Sequence, residues 1–197
     1  MTPPEALLQG STRLSLDEFG TEFRAAWTRL CQRFLKVECW QEYQELEAIG
    51  SQKAYNRGDV ALARDLLSQE AESDRPLYGD VKRRGIEYVR LRLVKLPLTA
   101  YLDYEMIAYV IRAEMGEKIR VAKFAQNSPL PGEEYFDFLL FDRHTALIHD
   151  YGSGTVGIQS GGWLVRNPAA ISFLEKKALA IRGRTVPVGQ FLAARGD

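Results

Sequence analysis

The sequence contains few of the residues that commonly mark a metal site or a secreted domain. Its only cysteines, Cys31 and Cys39, and its only histidines, His144 and His149, never combine at the spacing of zinc ligands. Two thiols also do not make the dense disulfide framework of small extracellular domains. We therefore expect a reduced cytoplasmic protein that has no metal site and needs no cofactor.

An excess of charge of one sign is also absent. Lys and Arg number 26, as do Asp and Glu, so the chain as a whole creates no positive field for nucleic acid or acidic lipid. The sequence has no basic start followed by an apolar run, and no apolar stretch of roughly 18 residues. We expect no membrane association. Nucleic-acid binding would depend on small basic clusters at 82–84 and 182–184.

Several enzyme signatures are missing as well. The chain lacks G-x-S-x-G, H-E-x-x-H, G-x-x-x-x-G-K-[ST] and G-x-G-x-x-G. Two glycine-rich stretches at 152–154 and 160–162 do not lead from a strand into a helix, as a phosphate-binding loop does. We interpret both as turn and bend glycines.

What the sequence does contain predicts one mixed α/β domain. With 197 residues, of which 46% are hydrophobic and 26% charged, it has the size and composition of a single globular unit. We predict an α/β (α+β) fold over 14–197, with a mixed central β-sheet covered by helices and a helical N-terminal region. Residues 1–13 are predicted to be a flexible arm, and about 41–84 a helical insert. The sequence does not indicate an oligomeric state.

Local signals place the helices. Ser15 and Glu18 form a capping-box pattern, and Asp59 and Thr99 are suited to cap helices that follow them. The helix after Thr99 is predicted over 100–115, and Asn167-Pro168 opens another over 169–181. Alternating or apolar runs predict strands at 33–40, 86–94, 117–123, 136–142, 145–151 and 156–165.

The first candidate site lies on the strand at 86–94. Because side chains alternate along a strand, Tyr88, Arg90 and Arg92 share one face. Two guanidinium forks on one face make a plausible cradle for a carboxylate or phosphate. The alternative is that each arginine pairs with an acid of a covering helix, or that this face is wet.

The next helix adds Glu105, which falls on an otherwise apolar stripe. A carboxylate buried there must be paired or protonated, and Arg90 or Arg92 is the nearest candidate partner. Such a pair is more often structural than catalytic. Tyr101 flanks Glu105 and is a candidate ligand-binding residue.

A second candidate site is the predicted hairpin near 142–150. Asp142 and His149 form a possible acid–base couple, because histidine titrates near neutrality and a carboxylate can orient it. A single histidine on a strand is more often a satisfied structural residue, so both interpretations stay open.

The chain resembles a family of actinobacterial proteins known only as a domain of unknown function. The resemblance rests on R-L-V-K-L-P-L-T-A-Y-L-D-Y-E, G-E-K-I-R-V and F-D-F-L-L-F-D-R, with further matches near both ends. Such proteins are often encoded beside helix-turn-helix regulators, which implies a regulatory or accessory role. The core is more distantly similar to phospholipase-D-like sensor domains, but the H-x-K-x-x-x-x-D signature of the active enzymes is absent.

Two function hypotheses follow. The first is a cytoplasmic, non-catalytic regulatory or accessory protein that binds a small anionic ligand or a protein partner, for example a helix-turn-helix regulator. The alternative is a small hydrolase or transferase of specialised metabolism that uses the Arg, Glu and Tyr side chains. A closed salt bridge without a cavity at Arg90 favours a purely structural role, whereas an aromatic-lined pocket of roughly 300 Å³ or more favours a ligand site.

Overall fold

A single mixed sheet organises the chain. The computed structural model describes residues 3–43, 50–152 and 157–195. Its strands are β1 (Thr12–Leu14), β2 (Arg33–Glu38), β3 (Glu87–Lys95), β4 (Lys118–Phe124), β5 (Phe138–Phe141), β6 (Thr145–Asp150), β7 (Gly161–Val165) and β8 (Val186–Pro187). Its helices are α1 (Glu5–Leu8), α2 (Leu16–Arg29), α3 (Gly50–Asn56), α4 (Val60–Glu72), α5 (Arg75–Arg84), α6 (Ala100–Glu114), α7 (Pro168–Gly183) and α8 (Val188–Ala193).

The sheet has the order β1-β7-β6-β5-β2-β3-β4-β8. Its β2, β3 and β4 are parallel neighbours, with α6 connecting β3 to β4, and the other pairings are antiparallel. Strand β2 therefore lies between a parallel and an antiparallel neighbour. The predicted fold class, a mixed central sheet covered by helices in one domain, is confirmed.

The predicted helix starts are also confirmed. Ser15 and Glu18 form the reciprocal capping box at the start of α2. Asp59 caps α4, Thr99 caps α6 and Asn167 caps α7, each side chain accepting a hydrogen bond from a backbone amide of the first turn. These caps use donors that the helix itself leaves unpaired, so they can be predicted from nearby residues alone.

Alternation along β2 and β3 separates two environments. Leu35 and Val89 belong to the core beneath α7, on one face of the sheet. On the opposite face, Phe34 and Tyr88 pack under α2 and α5, while Val94 packs under α6 and α8. Lys36 and Glu38 of β2 and Arg90 and Arg92 of β3 lie on this second face, because they alternate in step with Phe34 and Tyr88.

A glycine pair permits the close approach of α2 to β7. A Cβ atom at Gly162 would lie 2.5 Å from the ring of Phe19 and 2.4 Å from the carbonyl oxygen of Ile148. At Gly161, a Cβ atom would lie 2.3 Å from the carbonyl oxygen of Leu14. Both positions thus require glycine because backbone or ring atoms occupy the space of a side chain.

Some predicted boundaries are wrong. The N-terminal arm contains α1, whose Leu7 is buried, and most of β1, which pairs with β7. Within the strand predicted over 156–165, β7 begins only at Gly161, and β8 was not predicted. Residues 44–49 of the insert, together with Gly154 and Val156, lie outside the described residues. Each helix in the described ranges is too short or too polar to span a lipid bilayer.

Candidate functional site

A cavity of about 520 Å³ opens on the polar face of β2 and β3. We call it the tyrosine cavity, because six tyrosines line it: Tyr43, Tyr78, Tyr88, Tyr101, Tyr109 and Tyr151. Its charged lining residues are Lys36, Arg90, Arg112, Glu38, Asp74, Glu105 and Asp137, and His149 also lines it. The volume lies within the usual range of small-molecule sites.

Arg90 lies in the cavity lining and pairs with Glu38 and Glu117, and we call these three residues the floor of the cavity. The Nε of Arg90 donates to Glu117 at 2.6 Å and its Nη1 to Glu38 at 3.0 Å, and its guanidinium lies 5.2 Å from the centre of the Tyr109 ring. Glu117 also accepts a hydrogen bond from Tyr78 at 2.8 Å. The arginine therefore pairs with acids, as the alternative interpretation held, although these acids come from β2 and the start of β4 rather than from a helix.

These pairings fix the charges of the floor. Burial by itself raises the pKa of Glu38, but Arg90, Lys36 and Arg92 outweigh it and hold that pKa well below its ordinary value. The pKa of Glu117 is also lowered, because Arg90 and Tyr78 stabilise the carboxylate more than burial penalises it. Both acids are ionised at neutral pH, so the fork of Arg90 is already occupied and does not form an open anion cradle.

Arg92 does not face the cavity. It is 0% exposed, and its Nη2 donates to the carbonyl oxygen of Trp40. Its guanidinium lies 5.4 Å from the centre of the Tyr43 ring, and its Nε and Nη1 have no hydrogen-bond partner in the described chain. Contrary to the prediction, Arg92 therefore does not present its fork to the cavity, because it is fully buried beside the Tyr43 ring.

Glu105 and Tyr101, two of the candidate ligand-binding residues, line the cavity. The predicted ion pair of Glu105 with Arg90 or Arg92 is wrong, because within the described ranges Glu105 has no basic partner within 4.0 Å and Arg90 pairs with Glu38 and Glu117. Burial, and then the charge of Glu105, raises the pKa of Tyr101 well above its ordinary value. The charge of Glu105 thus reaches the Tyr101 hydroxyl.

Asp137 is a cavity residue that sequence reasoning missed. It is 2% exposed and accepts hydrogen bonds from the Cys39 amide at 2.7 Å, from the Tyr151 hydroxyl at 2.8 Å and from the Tyr43 hydroxyl. The available signal was an acid between two phenylalanines in F-D-F, just before an apolar strand. A buried carboxylate in that position needs donors, and the two tyrosines supply them.

His149 lies beside this cluster. Its ring stacks on Tyr151 with centroids 5.8 Å apart, and its backbone amide donates to the carbonyl oxygen of Asp137 at 3.1 Å. Burial lowers the pKa of His149, so the imidazole is neutral at pH 7. In the part of the chain that the structure describes, its Nδ1 has no hydrogen-bond partner.

Asp142 is not part of the cavity, and the predicted acid–base couple with His149 does not form. Its carboxylate accepts hydrogen bonds from the backbone amides of Cys31, Gln32 and Arg33 at 2.7–2.8 Å, which ties the hairpin to the start of β2. It stands before β6 begins, whereas His149 is near the end of that strand. At about 3.3 Å per residue, the strand keeps the two side chains well apart.

Tyr43 and Gly157 close one edge of the cavity by a parallel bridge. The Gly157 amide donates to the carbonyl oxygen of Glu42 at 3.1 Å. A Cβ atom at Gly157 would lie 2.9 Å from that oxygen, so a larger residue would force this edge apart. No sequence signal predicted the bridge, because it joins residues more than a hundred positions apart.

A metal site requires several potential ligands close together. Across 3–43, 50–152 and 157–195, no three His, Cys, Asp or Glu side chains come together in a way that suits a metal ion. Cys39, the buried thiol nearest the cavity, donates to Asp137 at 3.0 Å, and burial raises its pKa well above the ordinary value. It is therefore a protonated structural thiol.

Comparison with known proteins gives a family but no activity. A family model described as a domain of unknown function (DUF6879) matches residues 21–193, so the chain belongs to this family. No curated protein matches the sequence.

Proposed function

We propose that this member of the family is a non-catalytic regulatory or accessory protein that binds a small molecule in the tyrosine cavity. The observation that carries the proposal is a cavity of about 520 Å³ built over an ion-pair network that is already complete. A sealed salt bridge and an open pocket occur together here. The ion pairs of Arg90 are therefore compatible with a ligand site in the cavity.

The network supports binding by holding the lining side chains in place. Arg90 connects Glu38 of β2 to Glu117 before β4, and the Tyr109 hydroxyl of α6 donates to Glu38 at 3.3 Å. Side chains held by several partners lose little further freedom when a ligand arrives, so less free energy is spent on ordering the site. The cavity is in this sense preorganised.

The protonation states favour binding over catalysis. General acid–base catalysis works best with a group that titrates near the working pH. Glu38 and Glu117 have lowered pKa values, and burial raises the pKa values of Tyr88 and Tyr109, so these groups keep one protonation state at neutral pH. They are suited to hydrogen bonding and charge recognition.

The regulatory part of the proposal draws on the resemblance to proteins encoded beside helix-turn-helix regulators. In this view, ligand occupancy changes the affinity for a protein partner. The helices α5 and α6 border the cavity and are the elements through which occupancy would reach the surface, since Leu77 and Tyr101 lie on them.

A screen with a blocked cavity tests the proposal. Molecules that raise the melting temperature of the wild type are measured again on Ile158→Trp, at the cavity lining, and on Leu179→Trp of α7 as control. The two residues are similarly exposed, at 39% and 41%. We expect the tryptophan at 158 to abolish the thermal shifts and the one at 179 to preserve them. The proposal would be contradicted if no molecule raised the melting temperature of the wild type, or if the thermal shifts were retained in Ile158→Trp.

The second candidate function, a small enzyme, is favoured by His149. A neutral imidazole at a cavity wall, with an Nδ1 that has no partner in the described residues, can accept a proton from a bound molecule. Incubation of each binding molecule with the protein, followed by NMR, tests for turnover. Conversion that stops in His149→Asn and continues in His144→Asn would establish the enzyme and replace the non-catalytic proposal.

A further inference from the structure

The basic groups of the tyrosine cavity are already neutralised by the protein's own acids. Lys36 lies 2.7 Å from Glu38, and Arg112 lies 3.1 Å from Asp74. Arg90 has two carboxylate partners. An incoming anion would therefore have to displace an internal carboxylate from a buried pair, which leaves that carboxylate without a partner.

Two acids of the lining have no such partner. Among the described residues, neither Glu105 nor Asp137 has a basic group within 4.0 Å, and Asp137 is bound by two phenols, a thiol and an amide instead. Of the residues that the structure describes, three basic and four acidic side chains line the cavity. Counting the paired Glu117 and the covered Arg92 as well leaves one surplus negative charge. The charge that a ligand can complement is thus negative.

Aromatic rings join these two acids. Tyr43 hydrogen-bonds to Asp137, and its ring centroid lies 5.7 Å from that of Tyr101 and 5.8 Å from that of Tyr151. Tyr101 in turn lies close enough to Glu105 for that charge to act on its hydroxyl. Tyrosine rings next to carboxylates attract organic cations, through both ring faces and charge.

We infer that the ligand of the tyrosine cavity is a small organic cation, a protonated amine with an aromatic or aliphatic body. Its ammonium group lies against Glu105 and the rings of Tyr43 and Tyr101, with the buried Asp137 behind the Tyr43 hydroxyl, and its body extends along the remaining tyrosines. The Nδ1 of His149 offers an acceptor for an N–H donor. This inference rests on the proposed function, of which it specifies the ligand class.

Three probe molecules of nearly the same shape test which ligand charge the cavity prefers. The affinities of 2-phenylethylamine, 2-phenylethanol and phenylacetate for the whole protein are measured by calorimetry or ligand-observed NMR. We expect the amine to bind about tenfold or more tightly than the alcohol, as for a charge-assisted contact, and phenylacetate to bind most weakly. Glu105→Gln should remove most of the amine's advantage and leave the alcohol unchanged. Glu114→Gln, an exposed position on the same helix, should change nothing.

The outcomes separate this inference from the function that it rests on. If phenylacetate binds best, or if Glu105→Gln leaves amine binding intact, the inference is overturned and the cavity still binds small molecules. The inference is also overturned if amines are screened but none is among the molecules that lose their thermal shifts in Ile158→Trp. If no molecule of any charge binds in the cavity, the proposed function fails first.

Discussion

Arg90 and Arg92 stand two residues apart on one strand face and have different environments. Arg90 reaches two carboxylates at the cavity floor, while Arg92 is fully buried and donates to a backbone carbonyl. The difference lies in what surrounds each guanidinium. The role of each residue therefore depends on the groups that surround it. For Arg90 and His149, these surroundings are specific enough to predict the effect of a substitution.

Arg90→Ala should be strongly destabilising. The side chains of Arg90 and Glu117 are 11% and 0% exposed, so the substitution leaves the buried carboxylate of Glu117 without a counter-charge and Glu38 with Lys36 alone. We expect a loss of about 3–5 kcal/mol in the free energy of unfolding, measured with urea. Arg83→Ala, whose side chain is 74% exposed, is the control and should cost under about 1 kcal/mol. Equal losses in the two variants would show that the Arg90 network does not hold the floor.

His149 should make stability depend on pH below neutrality. Because its pKa is lowered in the folded state, the unfolded chain binds the proton more readily. Stability is therefore complete above about pH 6.5, the ordinary value, and is lost as the pH falls towards the folded pKa. His149→Gln should lose less stability than the wild type between pH 7.5 and 5.5 in urea titrations, whereas the exposed His144→Gln should behave as wild type.

Acidic groups contribute in a different pH range. The lowered pKa values of Glu38 and Glu117 give stability that is present above about pH 4.3 and lost as the pH falls through their folded values. The histidine and carboxylate contributions are thus separate in a pH titration. If the His149→Gln curve runs parallel to that of the wild type from 7.5 to 5.5, the imidazole is not buried as a neutral group.

At the scale of elements, α6 positions much of the cavity wall. It begins after Thr99, whose hydroxyl accepts from the Leu102 amide at 3.1 Å and donates to the carbonyl oxygen of Gln41 at 2.8 Å. Tyr101, Glu105 and Tyr109 follow on this helix and reach the cavity. One cap thus connects the start of the helix to the chain that follows β2.

Thr99→Ala should weaken both stability and ligand binding. We expect a loss of about 1–2 kcal/mol, because the cap and the bond to Gln41 disappear together. Thr99→Ser should retain most of the stability. Asp59→Ala removes a cap of α4, a helix that contributes no residue to the cavity lining, and should lower stability without changing ligand affinity. Identical ligand affinities in the two alanine variants would mean that α6 does not position the site.

At the scale of the whole molecule, charge balance is the main constraint on partners. The 26 basic and 26 acidic residues cancel, and several of the exposed arginines pair with acids, as Arg83 does with Asp80 and Arg166 with Glu22. A basic surface for nucleic acid needs unpaired positive charge along one face. The proposed small-molecule and protein partners do not require such a surface.

Nucleic-acid binding should accordingly be negligible. Gel shifts with double-stranded DNA and single-stranded RNA at about 150 mM salt should show no complex at micromolar protein. Bovine serum albumin serves as a negative control and a basic DNA-binding domain as a positive one. A submicromolar affinity that falls steeply with salt would overturn this prediction, because that slope counts phosphate contacts.

The sequence by itself determined the features that depend on neighbouring residues. The caps at Ser15, Asp59 and Thr99 use donors within three residues, so local spacing predicts them. Alternation with period two placed Tyr88, Arg90 and Arg92 on one face of β3, and the structure confirms that shared face. Helical spacing likewise includes Glu105 and the flanking Tyr101 in the candidate site, because a carboxylate on an otherwise apolar stripe needs a partner.

Only the tertiary structure decided which residues meet. Arg90 pairs with Glu38 across 52 positions, and Tyr43 with Asp137 across 94. These contacts exist because β2 lies between β3 and β5, an arrangement that follows from packing the whole sheet and not from any local pattern. The same arrangement brings His149 to the cavity and keeps Asp142 at the other end of β6. Strand order and long-range pairing have no short-range signature, so the cavity and its charge balance emerge only when the sheet is assembled.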